Sequence, residues 1–143
     1  MRIFLDANIL FSAAKSAGAV RRLLSLAEAA GHTLCADAYV AAEAHRNLQI
    51  KAPDGLIVLD AILQRIELAG FQVSALPDDP AAGLPEKDRP VLAAAVRLRC
   101  DALVTGDRTH FGRLYGKAIQ GVTVRSPLQL AEASGLLGTA AED

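Results

Sequence analysis

Short apolar runs alternate with longer helical stretches through most of the chain, and this alternation limits the possible folds more than any other feature. Strands are predicted at the short uncharged runs, which are residues 3–5, 33–36, 71–74, 102–105 and 122–124. Helices are predicted in the longer stretches around them, which are residues 8–15, 20–30, 38–48, 53–69, 88–99 and 126–136. Strands that alternate with helices form a parallel sheet covered on both faces, so the fold class is α/β.

The length of 143 residues suits one domain, which we expect at 1–136, followed by a flexible tail at 137–143. The segment 77–85 is rich in proline and aspartate and is predicted to be a loop. The hydrophobic fraction of 52% and charged fraction of 22% are typical of a globular protein. The net charge of −1 argues against coating nucleic acid by bulk charge, but it leaves room for a local basic groove.

Several features favour a cytoplasmic location. Asp6 follows the start too closely for a secretory signal peptide, and no apolar run approaches the length of a membrane span. Cys35 and Cys100 are interpreted as buried thiols in a reducing compartment, with a disulfide as the less favoured alternative.

Four carboxylates, Asp6, Glu43, Asp88 and Asp107, lie beside apolar runs, where burying an unpaired carboxylate is costly. Two of them end predicted strands and two lie on helices that can flank those strands, and ligands of parallel sheets bind outside the carboxyl ends of the strands. Two carboxylates about 4 Å apart repel by roughly 4 kcal/mol at an effective dielectric near 20. A divalent cation relieves this repulsion, and a set rich in acids and poor in histidine suits Mg²⁺ or Mn²⁺. The pattern predicts a metal-dependent enzyme acting on phosphate esters.

Each acid also has a purely structural interpretation. Asp6, Asp88 and Asp107 all precede helical stretches and are equally suited to be helix caps or first-turn acids. Taken alone, Glu43 is somewhat better explained as a solvent-facing residue of an alanine-rich helix, although Val40, Glu43 and Asn47 share one helical face.

Two polar residues are candidates for supporting roles. Asn8 is placed to hold a carboxylate or a metal-bound water, and is equally plausible as an ordinary first-turn residue. The Thr105 hydroxyl can orient a neighbouring carboxylate. His110 is assigned a structural role, with Phe111 in the core, rather than general-base catalysis. Basic side chains that would bind an RNA backbone by charge, or would simply be solvated surface, are Arg46, Arg89, Arg108, Arg113 and Lys117.

The motifs resemble those of the PIN domain family, which includes the toxin ribonucleases of prokaryotic toxin–antitoxin pairs. The resemblance covers residues 2–136. It rests on Leu-Asp-Ala-Asn-Ile-Leu at 5–10, Glu43, Asp88 before an alanine-rich helix, Val-Thr-Gly-Asp at 104–107 and Ser-Pro-Leu at 126–128. Ala7 stands where many members have threonine or serine, and Thr109-His110 stands where some carry a further acid.

This resemblance implies a three-layer α/β/α sandwich with parallel strands in the order 3-2-1-4-5. It implies Mg²⁺ or Mn²⁺ held by Asp6, Glu43, Asp88 and Asp107, and endonucleolytic cleavage of single-stranded RNA. It also implies a homodimer and inhibition by an antitoxin protein.

Two other functions are compatible with the same residues. The first is a phosphatase with Asp6 as nucleophile, although such enzymes usually carry a second aspartate two residues on, where this chain has Asn8. The second is a PIN-fold binding module without catalysis, which the presence of all four acids disfavours.

Overall fold

The computed structural model describes residues 1–73 and 83–136. Its strands are β1 Arg2–Leu5, β2 Thr33–Asp37, β3 Glu67–Ala69, β4 Ala102–Val104, β5 Ala118–Ile119 and β6 Val122–Arg125. Its α-helices are α1 Ala7–Lys15, α2 Ala19–Ala29, α3 Ala38–Lys51, α4 Leu56–Arg65, α5 Arg89–Arg97, α6 Arg108–Phe111 and α7 Pro127–Ala133. Short 3₁₀ turns at Pro53–Gly55 and Gly112–Leu114 join some of them.

The six strands form one sheet in the order β3-β2-β1-β4-β6-β5. Every pairing is parallel except β5 with β6. The predicted α/β class is therefore confirmed, and the predicted order 3-2-1-4-5 holds once β6 is taken as the fifth predicted strand.

The centre of the sheet is fully apolar. Ile3, Phe4 and Leu5 of β1 are completely buried, and so are all three residues of β4. Burial on both faces is expected of a central parallel strand covered by helices. Among the described residues, no helix is long and apolar enough to cross a membrane. Cys35 and Cys100 are buried free thiols, as predicted.

The third strand was predicted in the wrong place. The sequence indicated a helix to residue 69 and a strand at 71–74, but α4 ends at Arg65 and β3 is Glu67–Ala69. The reason is tertiary, because β3 pairs in register with Cys35–Asp37 of β2 and so satisfies its backbone groups there. Phe71 instead stacks on Tyr39, with ring centres 5.5 Å apart.

Strand β5 was not predicted. It is only two residues long and forms a tight antiparallel hairpin with β6. The turn residues Gln120 and Gly121 have φ values of 49° and 88°, which a two-residue hairpin turn of this hand requires. Most of the predicted loop at 77–85, the last residue of the predicted strand at 71–74 and the predicted tail at 137–143 lie outside the described residues.

The topology brings the ends of β1 and β4 together. These strands are neighbours, with Leu5 opposite Val104, and the Asp6 amide donates to the Val104 carbonyl at 3.1 Å. The residues that follow each strand, Asp6 and Thr105, are therefore adjacent at the carboxyl edge of the sheet.

Candidate metal centre and active site

A cavity of about 460 Å³ opens at the carboxyl edge of β1 and β4. All four predicted acids, Asp6, Glu43, Asp88 and Asp107, line it. The acids come from four separate parts of the chain, so their convergence results from the topology and not from sequence proximity.

Asp6 both caps a helix and faces the cavity, so the helix-cap and ligand-site interpretations of this residue are compatible. Its side chain is 5% exposed, and one oxygen accepts from the Ala7 amide at 2.7 Å at the start of α1. The other oxygen accepts from the Thr105 hydroxyl at 2.8 Å and from the Asn8 amide group at 3.1 Å. Burial raises the pKa of Asp6 to about 6; the hydrogen bonds from Thr105 and Ala7 oppose the rise, and the nearby charges of Glu43 and Asp88 add to it.

Asn8 and Thr105 connect α1 to the end of β4. The Asn8 side chain donates to Thr105 Oγ1 at 3.2 Å and accepts from the Gly106 amide at 2.7 Å. Thr105 is fully buried, and its hydroxyl also accepts from the Asp107 amide at 3.1 Å. Its carbonyl accepts from the Tyr115 hydroxyl at 2.8 Å. This network holds the Asp6 carboxylate and the Asp107 backbone at the ends of the central strands.

Asp88 and Asp107 meet on the imidazole of His110. The His110 Nδ1 atom lies 2.8 Å from Asp88 Oδ2 and 2.9 Å from Asp107 Oδ2. One ligand atom from each of the three residues can be chosen so that all lie within 4.8 Å of one another. This compact set of one nitrogen and two carboxylates is suited to a divalent cation.

Two atoms of this set are buried without a hydrogen bond. Asp88 Oδ2 and His110 Nδ1 approach to 2.8 Å, yet their alignment is not that of a hydrogen bond. A cation placed among these atoms would attract both carboxylates and accept the lone pair of a neutral imidazole nitrogen. The unsatisfied atoms therefore fit a cation site. Burial also raises the pKa of Asp88, an effect that the charge of His110 opposes and that of Asp107 reinforces.

The two aspartates differ as helix caps. Asp88 occupies the N-cap position of α5, but its side chain makes no capping hydrogen bond. Asp107 does cap α6, because its Oδ1 accepts from the His110 amide at 3.0 Å while Oδ2 faces the imidazole. Helix capping therefore explains the position of one Asp107 oxygen, Oδ1, and of neither Asp88 oxygen.

Glu43 lies on the cavity side of α3. It is half-buried, Val40 one turn before it is buried, and Asn47 one turn after it also lines the cavity. On the helical face predicted from the sequence, Glu43 and Asn47 therefore line the cavity while Val40 packs in the core.

The sequence interpretation missed His110 and two lysines. Among the described residues, Lys51 and Lys87 are the basic side chains that line the cavity. The five predicted RNA-binding residues are exposed and lie outside that lining: Arg46, Arg89, Arg108, Arg113 and Lys117. The spacing of two missed residues was a usable signal, because it places each on the same helical face as a predicted acid. His110 follows Asp107 by three positions, and Lys51 follows Glu43 by eight. Phe111 is fully buried, as predicted.

Comparison with known proteins agrees with this architecture. A family model described as PIN domain matches residues 2–109, which is more than half of the chain. The crystal structure of VapBC2 from Rickettsia felis, bound to a DNA fragment from their promoter, contains a chain with a similar fold. The TM-score is 0.62 at 18% sequence identity, and the match covers 88% of this chain and 98% of that chain. No match was found among curated proteins. The chain belongs to the PIN domain family.

Proposed function

We propose that the protein is a metal-dependent endoribonuclease that cleaves single-stranded RNA, and that it is the toxin of a toxin–antitoxin pair. The observation that carries this proposal is the convergence of Asp6, Glu43, Asp88 and Asp107 in one cavity, with His110 Nδ1 within 3 Å of two of them. Membership of the PIN domain family supports the same chemistry.

The residues present would hold Mg²⁺ or Mn²⁺. Asp107 and Asp6 would be the core ligands, with Asp88 binding directly or through water. His110 adds an imidazole nitrogen, which makes the set better suited to Mn²⁺ than an all-oxygen site would be. Such an ion, when bound, lowers the pKa of a water and stabilises the charge that develops on a phosphate ester.

The chain's own side chains would position the reactants. Glu43, half-buried at the wall of the cavity, would orient the attacking water or contribute to a second cation site. Thr105 and Asn8 hold the Asp6 carboxylate in place through hydrogen bonds of 2.8 and 3.1 Å. Lys87, beside Asp88 in the cavity wall, would attract the phosphate backbone.

The proposed partners are an antitoxin protein and a second copy of the chain. The similarity in fold to a chain of the Rickettsia VapBC2 structure supports an antitoxin. We place the activity in the cytoplasm, where RNA substrates and reduced cysteines occur together. Coexpression with the protein encoded by the neighbouring gene, followed by size-exclusion chromatography, tests both partners. Elution of the purified chain as a monomer would contradict the homodimer. A neighbouring protein that neither binds nor inhibits the chain would contradict the antitoxin.

The catalytic proposal is tested by incubating purified protein with a mixed pool of single-stranded RNA. The expected result is cleavage in Mn²⁺, none in EDTA and none by Asp6→Asn in either condition. Asp60→Asn, an exposed carboxylate on α4, is the matched control and should cleave like the wild type. Absence of cleavage by folded, inhibitor-free protein in Mn²⁺ would refute the proposal and favour the binding-module alternative.

The phosphatase alternative receives less support from the site. Both Asp6 oxygens already accept hydrogen bonds, and Asn8 donates one of them from the position where a phosphatase would have its second aspartate. Trapping of a phosphoenzyme on Asp6 would nevertheless establish that alternative over ours.

A further inference from the structure

One side of the cavity is a stripe of three residues on α3. Glu43, Asn47 and Lys51 follow one another at intervals of four, and all three line the cavity. Residues four apart lie on one face of a helix, so the stripe runs about 12 Å along α3. Its chemistry changes along its length from a carboxylate to an amide to an ammonium group.

A second stripe on α1 runs beside it, since α1 and α3 pack against each other. Asn8, Phe11 and Ser12 line the cavity, and Lys15 follows Phe11 by one turn. Asp6 caps the start of α1 and Glu43 lies near the middle of α3, whereas Lys15 and Lys51 are the last residues of the two helices. The two stripes together form a trough, defined here by Phe11, Ser12 and Lys15 on α1 with Asn47 and Lys51 on α3.

The far end of this trough combines an aromatic ring with two cations. The Nζ atom of Lys15 lies 5.7 Å from the centre of the Phe11 ring, and that of Lys51 lies 5.8 Å from it. Both distances are within the range of a cation–π interaction. The Phe11 ring is only partly buried, so part of it remains accessible to a ligand.

We propose that this trough is a binding subsite for the single-stranded RNA next to the scissile phosphate. A base stacks on Phe11, and the flanking phosphates pair with Lys15 and Lys51. This inference rests on the proposed ribonuclease function and adds to it the residues that hold the substrate. Its cations, Lys15 and Lys51, both lie over the Phe11 ring and are not among the basic residues predicted from the sequence.

The chemistry of the trough favours RNA over an acidic peptide. Bases stack on aromatic rings while phosphates bind nearby cations, and single-stranded RNA presents both groups in alternation. Lysine ammonium groups sit on flexible stems, so they can move from the ring to a phosphate when a base occupies the ring. An acidic peptide would gain the lysines only, because its carboxylate side chains offer nothing to stack on the Phe11 ring.

The test is fluorescence anisotropy of a short labelled single-stranded RNA of mixed sequence, measured in EDTA so that no cleavage occurs. Phe11→Leu, which keeps an apolar side chain, should weaken binding at least about fivefold. Lys15→Ala and Lys51→Ala should each reduce the slope of log affinity against log salt by about 0.7. Arg99→Ala removes one charge at the opposite edge of the sheet, just before β4, and should leave affinity and slope unchanged.

Wild-type affinity and slope in all three trough variants would overturn the inference, provided that thermal melting shows them folded. Weakening in the lysine variants alone, together with equal binding of a labelled polyglutamate peptide, would also overturn it in favour of an acidic peptide. Cleavage in Mn²⁺ separates this inference from the proposed function. If the wild type cleaves RNA but the trough variants bind it normally, only the subsite proposal fails. If the wild type does not cleave RNA but the variants lose binding as expected, the subsite stands and the nuclease proposal fails.

Discussion

The buried carboxylate of Asp6 should destabilise the metal-free protein at neutral pH. Its pKa is about 6 in the folded chain against 3.8 ordinarily, chiefly because it is buried. Folding therefore favours the protonated form. Below pH 3.8 the Asp6 carboxyl is protonated in both states and does not lower the unfolding free energy. The unfolding free energy falls as the pH rises from 3.8, and the whole effect of ionising Asp6 is present above pH 6. A rise from 3.8 to about 6 corresponds to about 3 kcal/mol.

The substitution Asp6→Asn removes this penalty and keeps an oxygen for the Ala7 amide. It loses the acceptor for Thr105 and Asn8, which costs about 1 kcal/mol whatever the pH. We therefore expect the variant to be more stable than the wild type at pH 7 and to lose that advantage near pH 4. The stability difference between the two proteins should change by about 3 kcal/mol over this range, because groups common to both cancel.

Urea denaturation in EDTA at a series of pH values measures this difference. Asp60→Asn, exposed on α4, should stay within about 0.5 kcal/mol of the wild type throughout. Saturating Mn²⁺ should reverse the order at pH 7, because ligand binding stabilises only the protein that retains the site. A difference between Asp6→Asn and wild type that does not vary with pH would refute the reasoning.

Three further substitutions test the architecture. Thr105→Val removes the hydroxyl shared by Asp6, Asn8 and Asp107, and should lower the unfolding free energy in urea by about 1–3 kcal/mol at pH 7; no loss would mean that the network is unimportant. Phe111→Ala empties a fully buried position and should cost about 3–5 kcal/mol, seen as a lower Tm, whereas an unchanged Tm would contradict its place in the core. Ser126→Ala removes the capping box of α7 and should cost about 1 kcal/mol in the same melts, with Ser25→Ala as an exposed control.

Much of the fold was predictable because local pattern and tertiary position agree for the central strands. Residues 3–5 and 102–105 are uncharged, and the structure buries them at the middle of the sheet. Edge strands lack such a signal. Leu68 in β3 is 47% exposed, and the strand exists because it pairs with β2, which no local pattern of Glu-Leu-Ala indicates.

The site was predictable in part for the same reason. Asp6 and Asp107 follow central strands, so the rule that ligands bind at the carboxyl edge locates them. The contact of His110 with Asp88 depends on how α5 and α6 approach each other, and residues 22 positions apart carry no local sign of it. Lys51 reaches the cavity because α3 runs three residues beyond the end that was predicted for it at residue 48.

Calorimetric titration of Mn²⁺ into the purified chain and into Asp107→Asn tests the central claim most directly. Asparagine can still cap α6 by accepting from the His110 amide, so the variant should fold. We predict saturable binding by the wild type and at least tenfold weaker binding by the variant, as expected for loss of a charged ligand. Equal binding by both proteins, or none by the wild type, would contradict a metal centre in which Asp107 is a core ligand.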